Sequence, residues 1–310
     1  MPDEVGRIVQ TLSPSLGEAE GEARPLEGGI TNRNYLVTLG GNRYVIRVPG
    51  KDTSLLGIDR PAERQANENA AAIGVAPRVV AQLDDPPCLV TEFVECREMT
   101  PEDLREPKTM STVIGELRKV HDSGANLPTS FDSFRVVEEY GETAASRGGE
   151  IPAAYDEAHE QAGRIESALS GPEHDPVPCH NDLLAGNFLR GSERIWIVDW
   201  EYAGMGDRYF DLANFAINNE LTPAQHPELL ADYFGEESSP RRVATLRLML
   251  FMSDFREAMW GVVQTVASDL DFDFKDYAAT HFERMRKTAA NESFDGWLEE
   301  ARMADDGPAG

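Results

Sequence analysis

The chain has 310 residues, 41% of them apolar, enough to bury one large or two modest cores, and its 55 acidic against 29 basic residues give a formal net charge of -26. That charge argues against nucleic acid as a partner, and no apolar run is long enough to span a bilayer. Met1-Pro2-Asp3-Glu4 is acidic where a secretory leader would be basic, so a cytoplasmic protein without membrane insertion is expected.

Taken in chain order, residues 1 to about 24 are polar apart from one amphipathic segment, 5–12. Gly28-Gly29-Ile30-Thr31-Asn32-Arg33-Asn34 precedes a strand predicted over 35–39, and Gly40-Gly41-Asn42 turns into a second over 44–48. Glycine turns let backbone N–H groups approach a phosphate, although most glycine pairs in hairpins are only turns. A helix is expected over 61–73, with Pro61 at its start and Gly74 and Pro77 beyond its end. The apolar run 89–94 reads as a strand. Thr100-Pro101-Glu102-Asp103 supplies an N-cap, a first-turn proline and first-turn acids for another helix. Helical patterns follow over 110–121, 153–169 and 243–270. Cys88, Cys96 and Cys179 lack CxxC spacing, so reduced, mostly buried thiols are expected and neither a disulfide framework nor a zinc site.

The chemistry concentrates in Cys179-His180-Asn181-Asp182-Leu183-Leu184-Ala185-Gly186-Asn187 and, after the apolar run Ile195-Trp196-Ile197-Val198, in Asp199-Trp200-Glu201. Asp182, Asn187 and Asp199 are hard-oxygen side chains near the ends of short predicted strands. Phosphoryl transfer needs a base for the acceptor hydroxyl and oxygen ligands for magnesium on ATP. Asp182 reads as the base, and Asn187 and Asp199 as the metal ligands. Isolated Asp and Asn often cap turns, and His-x-Asp alone is a weak signal; the combination carries the reading. His180 is expected to order the loop by a hydrogen bond and to transfer no proton.

The Asp-x4-Asn spacing resembles the catalytic loop of protein kinases, with Trp200-Glu201 where those enzymes have Phe-Gly. His180 to Phe188, followed by Val198 to Phe215, resembles the choline/ethanolamine kinase family, relatives of the aminoglycoside phosphotransferases; the resemblance runs from about residue 28 to about 282. It implies an α+β, two-lobed protein-kinase-like fold: a small antiparallel sheet lobe over 1–94, a larger mainly helical lobe over 95–295 and a disordered tail over 296–310. It also implies ATP and Mg2+ as cofactors, and transfer of the γ-phosphoryl group to a small cationic alcohol, choline or ethanolamine first. Aminoglycosides, thiamine or another amino alcohol are the alternative acceptors. A nucleotide-binding pseudokinase is the alternative of another class, and the intact Asp182, Asn187 and Asp199 count against it. A homodimer is compatible with the sequence.

Carried over residue by residue, the resemblance places Gly28, Gly29, Thr31, Asn32 and Asn34 in a hairpin covering the nucleotide. Arg47 stands where protein kinases have a phosphate-binding lysine, and its guanidinium fork suits phosphate oxygens. Glu63, fourteen residues before Pro77, is its expected anchor, with Glu68 the alternative. The backbone of Glu92, Phe93 and Val94 would meet adenine at the hinge. Glu201 is expected beside metal or acceptor, and Tyr202, Tyr209, Glu257 and Trp260 around the acceptor. Where choline kinases have a further aromatic three residues before this tryptophan, Glu257 stands, which suits a primary ammonium. Asp211 and Asn214 are expected to support the catalytic loop.

Only five of the basic residues are lysine (Lys51, Lys108, Lys119, Lys275 and Lys287), and the acids are dispersed along the chain. Such a surface repels itself in dilute buffer and is screened in concentrated salt. Melting temperature and activity should therefore rise from dilute buffer to molar KCl; a flat or falling melting temperature in a salt titration contradicts this.

Overall fold

The computed structural model describes residues 4–26, 32–50 and 53–303. Helix α1 (Glu4–Leu16) turns Val5, Ile8 and Leu12 to one side. Strands β1 (Arg24–Leu26), β2 (Arg33–Leu39) and β3 (Asn42–Val48) follow. Period-two alternation divides β3: Tyr44, Ile46 and Val48 are buried against the α1 side, in one cluster with Ile8 and Leu12. Val45 and Arg47 lie on the opposite face, which lines a cleft. Helix α2 (Arg60–Ala72) starts at Asp59, whose side chain accepts the Ala62 N–H at 2.8 Å, with Pro61 in its first turn. Strands β4 (Val79–Asp84) and β5 (Pro87–Glu92) complete an antiparallel sheet in the order β1-β2-β3-β5-β4.

Beyond the sheet come β6 (Arg97–Glu98), α3 (Pro101–Arg105), α4 (Pro107–His121), β7 (Ser130–Phe131), α5 (Ser133–Ser146) and α6 (Ala154–Glu166). Thr100 and Asp103 form a reciprocal capping box at the start of α3. Strands β8 (Val177–Cys179), β9 (Phe188–Arg190), β10 (Ile195–Ile197) and β11 (Gly204–Gly206) precede α7 (Arg208–Asn218), α8 (His226–Phe234), α9 (Pro240–Ala267), α10 (Phe274–Ala289) and α11 (Phe294–Arg302). The result is the two-lobed α+β arrangement of the kinase-like fold. No helix among the described residues is long and apolar enough to cross a membrane.

Two features position the site. The β9–β10 hairpin pairs Phe188 with Ile197, and the Val198 N–H donates to the Asn187 carbonyl at 3.0 Å. Asn187 and Asp199, twelve residues apart in sequence, thereby become neighbours. The 28-residue α9 is buried all around from Phe251 to Gln264, because α5, α7, α10 and α11 pack on it. Charged residues inside that stretch face other protein groups, not solvent.

Helix α2 falls within a residue of expectation at both ends, and α9 ends three residues before its expected limit. The expected disordered tail is corrected over 296–303: α11 continues to Arg302, and Leu298 and Ala301 are buried in the large core. Its apolar positions at i, i+4 and i+7 give it a face to bury. Cys88 and Cys179 are buried and Cys96 is exposed. Replacing Leu298 by alanine should cost about 2–5 kcal/mol, read as a lower midpoint in denaturant titration; an unchanged midpoint would remove α11 from the cooperative fold.

Candidate active site

The segment between β8 and β9 leaves the ladder, so its amides need other partners. Asp211, in the first turn of α7, supplies two: its carboxylate accepts the His180 N–H at 2.8 Å and the Asn181 N–H at 2.6 Å, and meets the His121 ring at 3.0 Å. Asn214, one turn further, accepts the Leu183 N–H at 2.5 Å and donates to Ser253 at 3.0 Å. His180 donates from Nε2 to the Val198 carbonyl at 2.9 Å and accepts the Asp182 N–H on Nδ1 at 3.2 Å. Those contacts require the neutral ring, and burial lowers its pKa. Asn181 (φ 67°) and Asp199 (φ 69°) adopt left-handed backbone, at two of three such non-glycine positions among the described residues. Asn and Asp tolerate that region best, and tertiary contacts hold it here.

The loop opens on a cleft of about 590 Å³ lined by Asn34, Arg47, Asp182, Asn187, Asp199 and Glu201, with an acceptor end formed by Tyr202, Arg256, Glu257, Trp260 and Tyr277. That volume is of the size that holds a nucleotide-like ligand. Arg47 joins the two lobes. It contacts Asp199, lies 3.2 Å from Glu63 and 3.2 Å from Glu201, and has 12% of its side chain exposed. Arg60 adds contacts to Glu63 at 2.6 Å and to Glu201 at 3.2 Å. Asn32 donates to the same Glu201 oxygen at 3.1 Å. Glu68 pairs instead with Arg64 on an exposed helix face.

Asn187 donates from Nδ2 to the Asp182 carbonyl at 2.8 Å, which leaves its amide oxygen as the atom able to bind a cation. Burial, reinforced by Glu257, Asp199 and Glu201 and opposed by Arg256, pushes Asp182 up to about 8. Burial likewise raises Asp199, against the opposing Arg47 guanidinium. Two carboxylates driven toward protonation mark a place short of positive charge. The oxygen set of Asn187 and Asp199 there fits a magnesium ion.

At the acceptor end Trp260 donates its indole N–H to the Tyr202 hydroxyl at 2.9 Å, with Phe274 and Tyr277 edge-on to its ring. Glu257 accepts from Arg256 at 2.7 Å and from Tyr277 at 2.7 Å. Expectation and structure part at Tyr209 and at the hinge amides. Tyr209 is not at this site: its hydroxyl donates to Glu173 at 2.7 Å, and its ring packs by His174 and Phe234, because α7 turns its first residues away from the cleft. Glu201 lines the same cleft as Tyr202, held by the Arg47 and Arg60 guanidinium groups and by Asn32. At the hinge the Glu92 and Phe93 amides donate to Arg78 and Arg43 carbonyls, which leaves Val94 as the hinge amide without a partner among the described residues. Gly28, Gly29 and Thr31 lie outside the described residues.

Sequence reasoning missed Arg60 and Arg256. Arg60 gave no signal beyond its place next to Pro61. Arg256 had one: it stands with Asp254 and Glu257 in an otherwise apolar helical stretch, where a charge needs a reason.

A kinase-like cleft with this loop and these oxygen ligands defines an ATP-dependent phosphotransferase acting on an alcohol. The chain belongs to the phosphotransferase enzyme family, whose profile matches residues 22–246, and within it to the choline/ethanolamine kinase group. It is 28% identical over 312 positions to ethanolamine kinase 2 of Mus musculus, covering 91% of this chain and 80% of that protein. The crystal structure of a choline/ethanolamine kinase family protein from Mesorhizobium loti superposes with a TM-score of 0.83 at 30% identity, covering 97% of this chain and all of that one (100%). Choline kinase LicA from Streptococcus pneumoniae shares the fold with a TM-score of 0.76 at 24% identity, over 92% of this chain and 98% of its own.

Proposed function

We propose that this enzyme transfers the γ-phosphoryl group of ATP to the hydroxyl of a small amino alcohol of the choline/ethanolamine class. The observation that carries the reading is the convergence of Asp182, Asn187 and Asp199 on one cleft that also holds an aromatic and carboxylate-lined end. In this reading the Asp182 carboxylate orients the acceptor hydroxyl and takes its proton as the new O–P bond forms and the bond to the β-phosphate oxygen breaks. Asn187 and Asp199 hold magnesium, which when bound neutralises charge on the phosphates. Arg47 donates to phosphate oxygens, and Glu63 and Glu201 hold its fork in place. The Val94 amide meets the adenine edge. Asp211, Asn214 and His180 keep the loop geometry from which Asp182 acts, so catalysis rests on positioning and on charge arranged in advance.

Asp182→Asn should lower kcat by about two or more orders of magnitude while ATP affinity stays near that of the parent; a folded variant with near-normal kcat would remove Asp182 from the base role. Asp199→Ala should abolish magnesium-dependent ATP binding along with activity, since Asn187 alone is a neutral, weaker ligand. Titration of magnesium against fluorescent nucleotide binding reads this directly, and an unchanged magnesium requirement would place the metal elsewhere.

A further inference from the structure

The acceptor end of the cleft already contains a cation. Arg256 lies with its guanidinium carbon 4.3 Å above the Tyr202 ring, the distance at which a ligand ammonium would stack. The same group occupies Glu257 through Nη1 at 2.7 Å and stands 3.6 Å from the Asp182 carboxylate that would receive the acceptor hydroxyl. Tyr277 holds the second Glu257 oxygen, and Trp260 holds the Tyr202 hydroxyl. An aromatic face and a carboxylate suited to a trimethylated nitrogen are therefore filled from inside the protein.

Donors are in excess at this end. Only 2% of the Arg256 side chain is exposed, it forms part of the cleft wall, and its Nε and Nη2 have no partner among the described residues. A buried guanidinium with unmet donors next to a ligand site calls for an oxygen acceptor. Glu257, with lone pairs left on both oxygens, still attracts an ammonium. Together Arg256 and Glu257 present a positive and a negative group side by side, the complement of a ligand that carries both.

We propose that the acceptor is a zwitterionic small alcohol, its carboxylate read by Arg256 and its ammonium by Glu257, and that Arg256 sets this specificity while excluding quaternary ammonium alcohols. The inference rests on the reading of the cleft as a phosphotransferase site for small amino alcohols and moves the acceptor from a plain cation such as choline to a zwitterion. Backbone strain or loop motion plays no part in it; the discrimination follows from which partners are already taken.

Three matched probes test it: ethanolamine, serine, which is ethanolamine carrying a carboxylate, and choline, which is ethanolamine trimethylated on nitrogen. Their affinities for the full chain are measured by calorimetry with ADP and magnesium in molar KCl, in parallel with phosphotransfer from ATP. Serine should bind about tenfold or more tightly than ethanolamine, and choline most weakly. Arg256→Leu should erase the advantage of serine and raise choline relative to ethanolamine, because it bares the Tyr202 face and frees Glu257. Arg256→Lys, which keeps the charge without the fork, should retain part of the serine preference, and it decides together with the wild-type order where the leucine variant does not fold. Choline binding as tightly as serine in the wild type, or a folded Arg256→Leu protein that still prefers serine, overturns the proposal. The expected binding order without transfer to any probe supports the specificity and counts against the phosphotransfer reading instead.

Discussion

The position of Arg47 is the constraint on which the site depends. A guanidinium on the cleft face of a small sheet reaches a glutamate of α2 and two acidic residues that follow β10, so one side chain sets the distance between the lobes. Burying it is costly, and the cost is offset only because Glu63, Asp199 and Glu201 all lie within reach. The three acids outnumber the Arg47 and Arg60 guanidinium groups between them, which leaves the place short of positive charge. In the proposed reaction the same crowding would make the network responsive to a nucleotide, whose phosphate oxygens would compete for the Arg47 fork.

Around that network the molecule uses buried carboxylates and amides as rigid fasteners. Asp211 and Asn214 stand one turn apart on α7 and bind three of the four amide groups of loop 180–183, those of His180, Asn181 and Leu183. Hydrogen bonds of this kind contribute about 1 to 3 kcal/mol each, the larger values for those to the Asp211 carboxylate, and leaving such an amide buried without a partner is costly. The loop is therefore specified by what would go unpaired in any other conformation. Helix α9 provides the opposing wall, and its burial from Phe251 to Gln264 fixes the rotamers of Arg256, Glu257 and Trp260.

Outer surface and cleft follow different electrostatic rules. Dispersed surface acids face water and salt, where their interactions are screened within a few ångströms at molar ionic strength. The acids of the cleft are desolvated, so their charges are felt by neighbours, and Asp182 and Asp199 are raised while Glu201 and Glu257, each paired with arginine, are lowered. Glu257 was expected to await an ammonium; in the folded chain it is already engaged by Arg256 and Tyr277.

Local pattern sufficed for α1, α2, β2, β3, β5, α4 and α9, because each carries its own periodicity, cap or glycine stop. Residue type and spacing also singled out Asp182, Asn187 and Asp199, which the fold brings to one cleft. Helices α7, α10 and α11 were less legible, since α7 is buried on most sides and lacks a polar face, while α10 and α11 are short of apolar residues and owe their burial to α9. Tyr209 was misplaced for the same reason: sequence puts it ten residues from Asp199, but the direction of α7 turns it toward Glu173. Residue types determined which oxygen and guanidinium groups the chain could bring to a cleft. Only the packing of α9 against α7 and α10 decided that a guanidinium would lie on the Tyr202 ring and beside Asp182, because contacts between residues more than fifty positions apart follow from how helices stack, and no local pattern records them.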